Sequence, residues 1–269
     1  MSDKNPYILG TDQKELDRLR IQHKTWKVEA QKSWDTAKFK SGDIILDLGC
    51  GPGYCSVELA RIVGSTGKVI GVDQSLDFIN YLQYKKNKHN LNIEPLLSTF
   101  DNLKIEPNSI DGIYCRWALA WVPNPKEIVT KLYKFLKPKG KIVIHEYYYW
   151  TSHRTEPERA GLKKAIDASL QSFRDSNCEI DIGKYLHRWF HDLNMNISST
   201  HLMPKLAVPK SNNWEWLKTF YKSYFPRLVE MNYLTNEEME KAFYDFYELE
   251  QLKYTTLWCP LMIEIIAVK

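Results

Sequence analysis

The chain has 269 residues, 43% of them hydrophobic and 26% charged, which is enough to bury a substantial core as one main α/β domain with insertions. Its net charge of +4 is spread along the sequence, with Lys85, Lys86 and Lys88 as the densest small cluster, so nucleic-acid binding is allowed but not indicated. Five cysteines, at 50, 55, 115, 178 and 259, form no CxxC pair, and no stretch approaches the roughly 18 apolar residues of a membrane span; a disulfide scaffold and a spanning segment are both disfavoured.

Residues 12 to 31 read as a helix with Leu16, Leu19, His23 and Trp26 on one stripe, preceded by a short Tyr7 to Leu9 segment that Gly10 ends. "DIILDLG" (43 to 49) is a β-branched apolar run stopped by glycine, which predicts a buried strand. Cys55, Leu59, Ile62 and Val63 then repeat at helical spacing. "KVIGVD" (68 to 73) predicts a second strand, Ser75 caps a helix running to Lys88, and further strands follow at 93 to 97 and 110 to 115. Ile128, Leu132, Phe135 and Leu136 mark another helix, "KPKG" stops it, and "KIVIHEY" (141 to 147) is a fifth strand. Strands alternating with helices at this spacing predict a parallel, doubly wound sheet with right-handed crossovers. After residue 150 the alternation fails: 155 to 192 and 212 to 251 read as helical, with a strand near 197 to 208 and a last one at 261 to 268, expected as an antiparallel addition at the edge.

The stretch "DLGCGPGYCSVELA" carries the chemistry. At the end of a first strand, glycines let backbone approach a ligand while the N–H groups of the next helix point at it. Gly49, Gly51 and Gly53 give G-x-G-x-G, with Tyr54 where a dinucleotide fingerprint has its third glycine, and this counts against a pyrophosphate and an NAD-dependent oxidoreductase. Asp47 adds an acid to the same mouth, which repels an anion and attracts an ammonium or sulfonium. Asp73 ends the second strand, where a carboxylate can accept both hydroxyls of a ribose. A ligand lying across both acids has a ribose at one end and a positive group at the other, a description that fits S-adenosylmethionine.

The glycine loop, the strand ending in "GVD", the segment "STFDNLKIEPNSIDGIYCRWALAWVPNP" and "KFLKPKGKIVIHE" resemble, in order and spacing, the successive motifs of class I S-adenosylmethionine-dependent methyltransferases. The resemblance is strong over 43 to 147 and points toward small-molecule enzymes of quinone biosynthesis and secondary metabolism. It implies an α/β, Rossmann-like doubly wound sheet of seven strands, mostly parallel with an antiparallel last strand, plus a helical cap. The corresponding division is 1 to 40 as an N-terminal helical cap, 41 to 150 as the cofactor-binding core, and 151 to 269 as helical lid insertions plus the last two strands of the core sheet. Carried over by position, the resemblance assigns Asp47, Gly49, Cys50, Gly51 and Gly53 to the methionine end of the cofactor, and Asp73 and Gln74 to the ribose. Where the family commonly has G-D-A before the adenine, this chain has Ser98, Thr99 and Phe100. Thr99 and Phe100 can still bond or pack on the ring, and Asp101 is a substitute acid. Arg116 and Trp117 occupy the place that lines the methyl-transfer centre.

Methyl transfer from a sulfonium depends chiefly on alignment in a water-poor pocket, and a base is needed only when the acceptor must lose a proton. Glu146, Tyr147 and His153, with Arg116, are the expected acceptor contacts. His145 and Glu146 point to opposite faces of their strand, so at most one of them reaches the pocket. His187 and His191 stand four apart in "HRWFH" but lack the HExxH glutamate, so a solvated helix face is expected and no metal site. The 9 Trp, 16 Tyr and 10 Phe, many of them after residue 114, suggest an aromatic-lined pocket under the lid. The expected partner is therefore a small-molecule acceptor, with neither nucleic acid nor membrane, in a cytoplasmic protein. RNA or protein methylation, and a non-enzymatic S-adenosylmethionine sensor, remain the alternatives; oligomeric state is not legible.

Overall fold

The computed structural model describes residues 13–176 and 178–269, with side chains from residue 15; the Tyr7 to Leu9 segment lies outside them. The elements follow in the order α1 (Gln13–Ala37), β1 (Ile44–Leu48), α2 (Tyr54–Val63), β2 (Lys68–Asp73), α3 (Leu76–His89), β3 (Ile93–Leu97), β4 (Ile110–Arg116), α4 (Pro125–Phe135), β5 (Leu136–Tyr149) and β6 (Arg154–Glu156). Then come α5 (Ala160–Asp175), α6 (Gly183–Asp192), β7 (Asn196–Met203), β8 (Leu206–Ala207), α7 (Asn212–Glu230), α8 (Asn236–Gln251), β9 (Thr256–Trp258) and β10 (Leu261–Val268).

Seven strands form one sheet in the order β3-β2-β1-β4-β5-β10-β7. The pairs from β3 through β5 are parallel. The final strand is antiparallel, as expected, but it does not form the edge: β10 pairs antiparallel with β5 on one side and with β7 on the other. Its run Met262 to Ala267 is buried on both faces, and such a strand belongs inside a sheet rather than at its rim.

The chain groups into two compact units. One holds 26–150, 178–203 and 261–269 and contains the seven-stranded sheet; the other holds 13–25, 151–176 and 204–260. In the first, Ile45, Leu59, Val63, Val69, Leu82, Tyr114 and Val143 form a continuous core with Trp34 and Ala30 of α1. In the second, α7 carries a stack of buried rings, with Tyr221 on Phe225 at 4.7 Å and Phe220 on Tyr224 at 5.3 Å between centroids.

The chain after residue 150 departs most from the expected elements. The 155 to 192 block is two helices, α5 and α6, and the 197 to 208 stretch splits: β7 joins the large sheet, while β8 pairs with β9, which also pairs with β6 in a separate three-stranded sheet. Pro204 interrupts the stretch, and proline gives no N–H to a ladder. The 212 to 251 block breaks at 231–235, where Thr235 and Glu238 form a capping box that starts α8.

The stripe expected on α1 holds at His23 and Trp26, 9% and 1% exposed, but shifts in the turn before them. Leu16 and Leu19 are half-buried, while the charged Glu15 and Arg18 are 2% and 4% exposed. Arg18 grips Glu15 through two hydrogen bonds of 2.6 and 2.7 Å and donates to Gln22, whose side-chain oxygen also accepts from Trp216 Nε1. Mutual pairing is what lets these charges take a buried position that periodicity reserves for leucine.

Candidate cofactor and active site

The site is built at the carboxyl ends of β1, β2, β3 and β4. Between β1 and α2, Gly49, Gly51 and Gly53 all have positive φ, at +68°, +52° and +78°. A Cβ on Gly51 would meet nothing within 4 Å, so its bare backbone faces open space. Gly49 is bare for another reason. A Cβ there would stand 2.5 Å from Ala118 Cβ and 3.4 Å from the Phe100 ring, so three loops converge on this one residue. Gly53 packs inward on α3, where a Cβ would lie 2.2 Å from Leu82 Cδ1. Gly53→Ala is therefore expected to cost about 2–4 kcal/mol, the sum of a left-handed backbone penalty and overpacking, read as a lower midpoint in urea unfolding.

Asp73 organises the loop. Its Oδ2 accepts from Gly51 N–H and its Oδ1 from Ser75 N–H, both at 2.9 Å, tying the glycine loop to the start of α3. Burial raises its pKa, and these N–H groups with that of Gln74 oppose the rise. Gln74 beside it is exposed, as are Leu76 and, across from Asp73 on β3, Leu97. Leu97 is a site candidate that sequence reasoning missed; its signal is the register, which pairs it with Asp73.

Asp47 is placed differently. It is 2% exposed and accepts a hydrogen bond of 2.5 Å from Ser56 Oγ on α2, beneath the loop instead of at its mouth. Desolvation pushes its pKa up to about 6, against the Ser56 hydrogen bond and the charge of Arg116. Cys50 is buried, and desolvation raises its thiol well above the ordinary range.

On the adenine side of the expected site, Thr99 and Asp101 are exposed and Phe100 is half-buried. Lys131 on α4 staples this loop, donating to the carbonyls of Phe100 at 3.1 Å and Asp101 at 2.5 Å. Nothing in the sequence pointed to Lys131. Its removal in Lys131→Met is expected to lower affinity for S-adenosylhomocysteine about fivefold in calorimetry, since a partly exposed charge-assisted hydrogen bond contributes on the order of 1 kcal/mol.

Beyond β4, Arg116 lies over the Trp117 ring at 5.1 Å. Trp117 has φ +53°, a conformation that bulky residues rarely adopt, and is held there by its N–H to His145 O at 3.0 Å and its Nε1–H to Met262 Sδ at 2.9 Å. Tyr147 stacks on it at 5.9 Å between centroids and meets Trp150 edge-on at 5.2 Å. Glu146 explains the turn. Fully buried, it accepts through Oε1 from the N–H groups of Ala118 and Leu119, both at 2.8 Å, while its Oε2 has no hydrogen-bond partner. Desolvation drives its pKa up to about 8 in spite of those donors.

His145 points the other way, as the strand alternation requires. Ser33 on α1 donates to Glu264 Oε2 on β10, and the same hydroxyl oxygen lies 2.7 Å from His145 Nε2; Tyr114 OH approaches His145 Nδ1 at 3.4 Å. His153 belongs to the other unit, where both its ring nitrogens are engaged, Nδ1 with Trp258 O and Nε2 with Tyr221 OH, each at 2.8 Å. Burial pushes its pKa down to about 4. His187 bonds Thr200 Oγ1 at 2.9 Å and His191 is exposed. Among the described residues no group of His, Cys, Asp and Glu is placed to hold a metal ion, and no helix is long and apolar enough to cross a membrane.

A family model described as a methyltransferase domain matches residues 39–209, well over half of the chain. The chain belongs to the methyltransferase domain family. Its match begins just before β1 and covers the glycine loop, Asp73, the 98–101 loop and the Trp117 turn. Demethylmenaquinone methyltransferase of Oceanobacillus iheyensis is 34% identical over 125 residues, 46% of this chain and 51% of that protein. The chain spans about half the length of the curated relatives it matches. Among solved structures, geranyl diphosphate C-methyltransferase from Streptomyces coelicolor A3(2) aligns with a TM-score of 0.57 and 14% identity, over 91% of this chain and 80% of its own. The [4+2]-cyclase SpnF aligns with a TM-score of 0.58 and 13% identity, over 89% and 80%. At these identities the likeness is one of fold, and the domain's chemistry has to be argued from its site.

Proposed function

We propose that the protein is an S-adenosylmethionine-dependent methyltransferase acting on a small-molecule acceptor. The observation that carries this reading is the Asp73 carboxylate, half-open at the end of β2, where it braces the glycine loop through Gly51 N–H while keeping acceptor capacity for a pair of hydroxyls. The residues fit the cofactor. Gly51 offers bare backbone to its methionine part with Arg116 nearby, Gly49 lets Ala118 and Phe100 close on the loop, Asp73 and Gln74 would take the ribose, and Thr99, Phe100, Asp101 and Leu97 would meet the adenine. Asp47, Cys50 and Gly53 support the loop from beneath, and Trp117 walls the centre.

When bound, S-adenosylmethionine supplies an electrophilic methyl group. The chain's own part is alignment and exclusion of water, for which the buried rings of Trp117, Tyr147 and Trp150 are suited. Glu146 acts as a positioning residue that holds the Trp117 to Leu119 turn, and Tyr147 forms the wall nearest that turn. The similarity to a demethylmenaquinone methyltransferase makes quinone-type compounds the first acceptors to try. Calorimetry with S-adenosylhomocysteine, followed by transfer from labelled S-adenosylmethionine to an acceptor panel, tests the reading. Micromolar binding with transfer to a small molecule is expected; binding without transfer to any acceptor makes the protein a sensor, and no binding removes both readings.

A further inference from the structure

The small sheet β6-β9-β8 has one face inside its unit and one outside. Thr155, Leu257 and Ala207 point inward and are 6%, 0% and 0% exposed. The alternate residues form a cross-strand row in which Arg154 pairs with Trp258 and Trp258 with Leu206, and all three are exposed. Trp258 is 47% exposed, Leu206 42%, Val208 44% and Tyr254, two residues before β9, 71%. Large apolar side chains concentrated on one open face mark an interaction surface rather than the scattered exposure that every protein shows. Arg154 lies on the row itself, with Glu156 two residues on, and exposed Lys253 precedes Tyr254 in the chain while exposed Lys210 follows Val208 by two residues.

We propose that this face docks the protein peripherally on an anionic phospholipid bilayer. Trp and Tyr, with apolar rings and a polar edge, settle at headgroup level, aliphatic Leu206 and Val208 reach below them, and Arg154, Lys210 and Lys253 meet the lipid phosphates. Charge decides against a second copy of the chain as occupant. A twofold pairing of the face on itself would bring two like-charged rims together, whereas an anionic surface is complementary to them. Aliphatic side chains on a short, twisted sheet offer a nucleic acid neither a groove nor stacking platforms beyond the two rings. The expectation of no membrane partner rested on the missing spanning segment, and lying on a bilayer needs none.

Co-sedimentation of the full chain with vesicles tests this. The protein should pellet with vesicles of phosphatidylcholine mixed with phosphatidylglycerol, and far less with phosphatidylcholine alone. Lys210→Gln with Lys253→Gln should lower partitioning about thirtyfold, and Trp258→Ser with Leu206→Ser at least about tenfold, while raised salt weakens the wild type more than the lysine variant, which keeps Arg154. Calorimetry with S-adenosylhomocysteine on each variant confirms an intact fold, because none of these residues belongs to the cofactor site. Absence of pelleting with anionic vesicles, or variants that pellet like the wild type, would overturn the proposal. So would a dimer in sedimentation velocity that Trp258→Ser dissolves, which would assign the face to a second copy.

Discussion

Asp73→Ala is expected to weaken binding of S-adenosylhomocysteine by about two to three orders of magnitude. A hydrogen bond to a charged acceptor contributes roughly 1.5–3 kcal/mol, and a carboxylate facing a ribose makes two of them. The same substitution strips Gly51 and Ser75 of their common acceptor, so the glycine loop also loses the brace that fixes its left-handed backbone. The two effects separate in Asp73→Asn. Its carboxamide keeps one accepting oxygen, enough to hold a single backbone N–H, and offers the ligand a donor where an acceptor is wanted, so its affinity should fall between the wild type and Asp73→Ala. Calorimetry on the three proteins, with circular dichroism to confirm folding, checks the order. An affinity for Asp73→Ala within about threefold of wild type would remove Asp73 from the site altogether.

The features that proved legible were those with a local physical cause. β3 and β10 fall on their predicted residues, and Ser75 caps α3 through Phe78 N–H as its position before a helical stripe requires. The opposite facing of His145 and Glu146 follows from the period of a strand alone. What was not legible depends on contacts distant in sequence. Asp47 reads as an acid in the mouth of the loop, yet its depth is set by Ser56 and the overlying helix. Lys131 lies about thirty residues from the carbonyls it holds. Glu15 and Arg18 break the apolar stripe of α1 because each neutralises the other, and a periodicity count scores both as solvent-facing. The splitting of 197 to 208 between two sheets is likewise a matter of which strands wait on either side of Pro204.

Glu146 gives the sharpest dependence on pH. In the unfolded chain its carboxyl loses its proton near its ordinary value of 4.5, whereas in the folded protein burial keeps it protonated up to about 8. Between those values the folded state holds a proton that the unfolded state has released, so stability falls as pH rises through the window, by up to about 5 kcal/mol. Asp47, raised to about 6, acts in the same direction over the lower part of the window, from its ordinary 3.8. Three groups act in the opposite direction on the acid side, among them His153, which burial lowers to about 4 from its ordinary 6.5. Glu264, lowered to about 2 by its His145 and Ser33 contacts against the desolvation that opposes them, contributes stability above pH 4.5 that is lost as pH falls toward 2. Buried His145, lowered by desolvation, resists the proton that the unfolded chain accepts below 6.5. Glu146→Gln isolates the first effect. The amide oxygen can still accept from Ala118 and Leu119, and the amide nitrogen stands where Oε2 already lacks a partner, so the turn is kept and the titration removed. Urea unfolding above pH 6 should therefore show the wild type losing stability toward pH 8 while Glu146→Gln stays nearly level. Turnover by the variant should persist, because a residue that positions the Trp117 turn needs its oxygen and not its charge. Parallel stability curves for the two proteins would show that Glu146 is ionised in the fold, and loss of turnover with an unchanged turn would return it to the role of an acceptor contact.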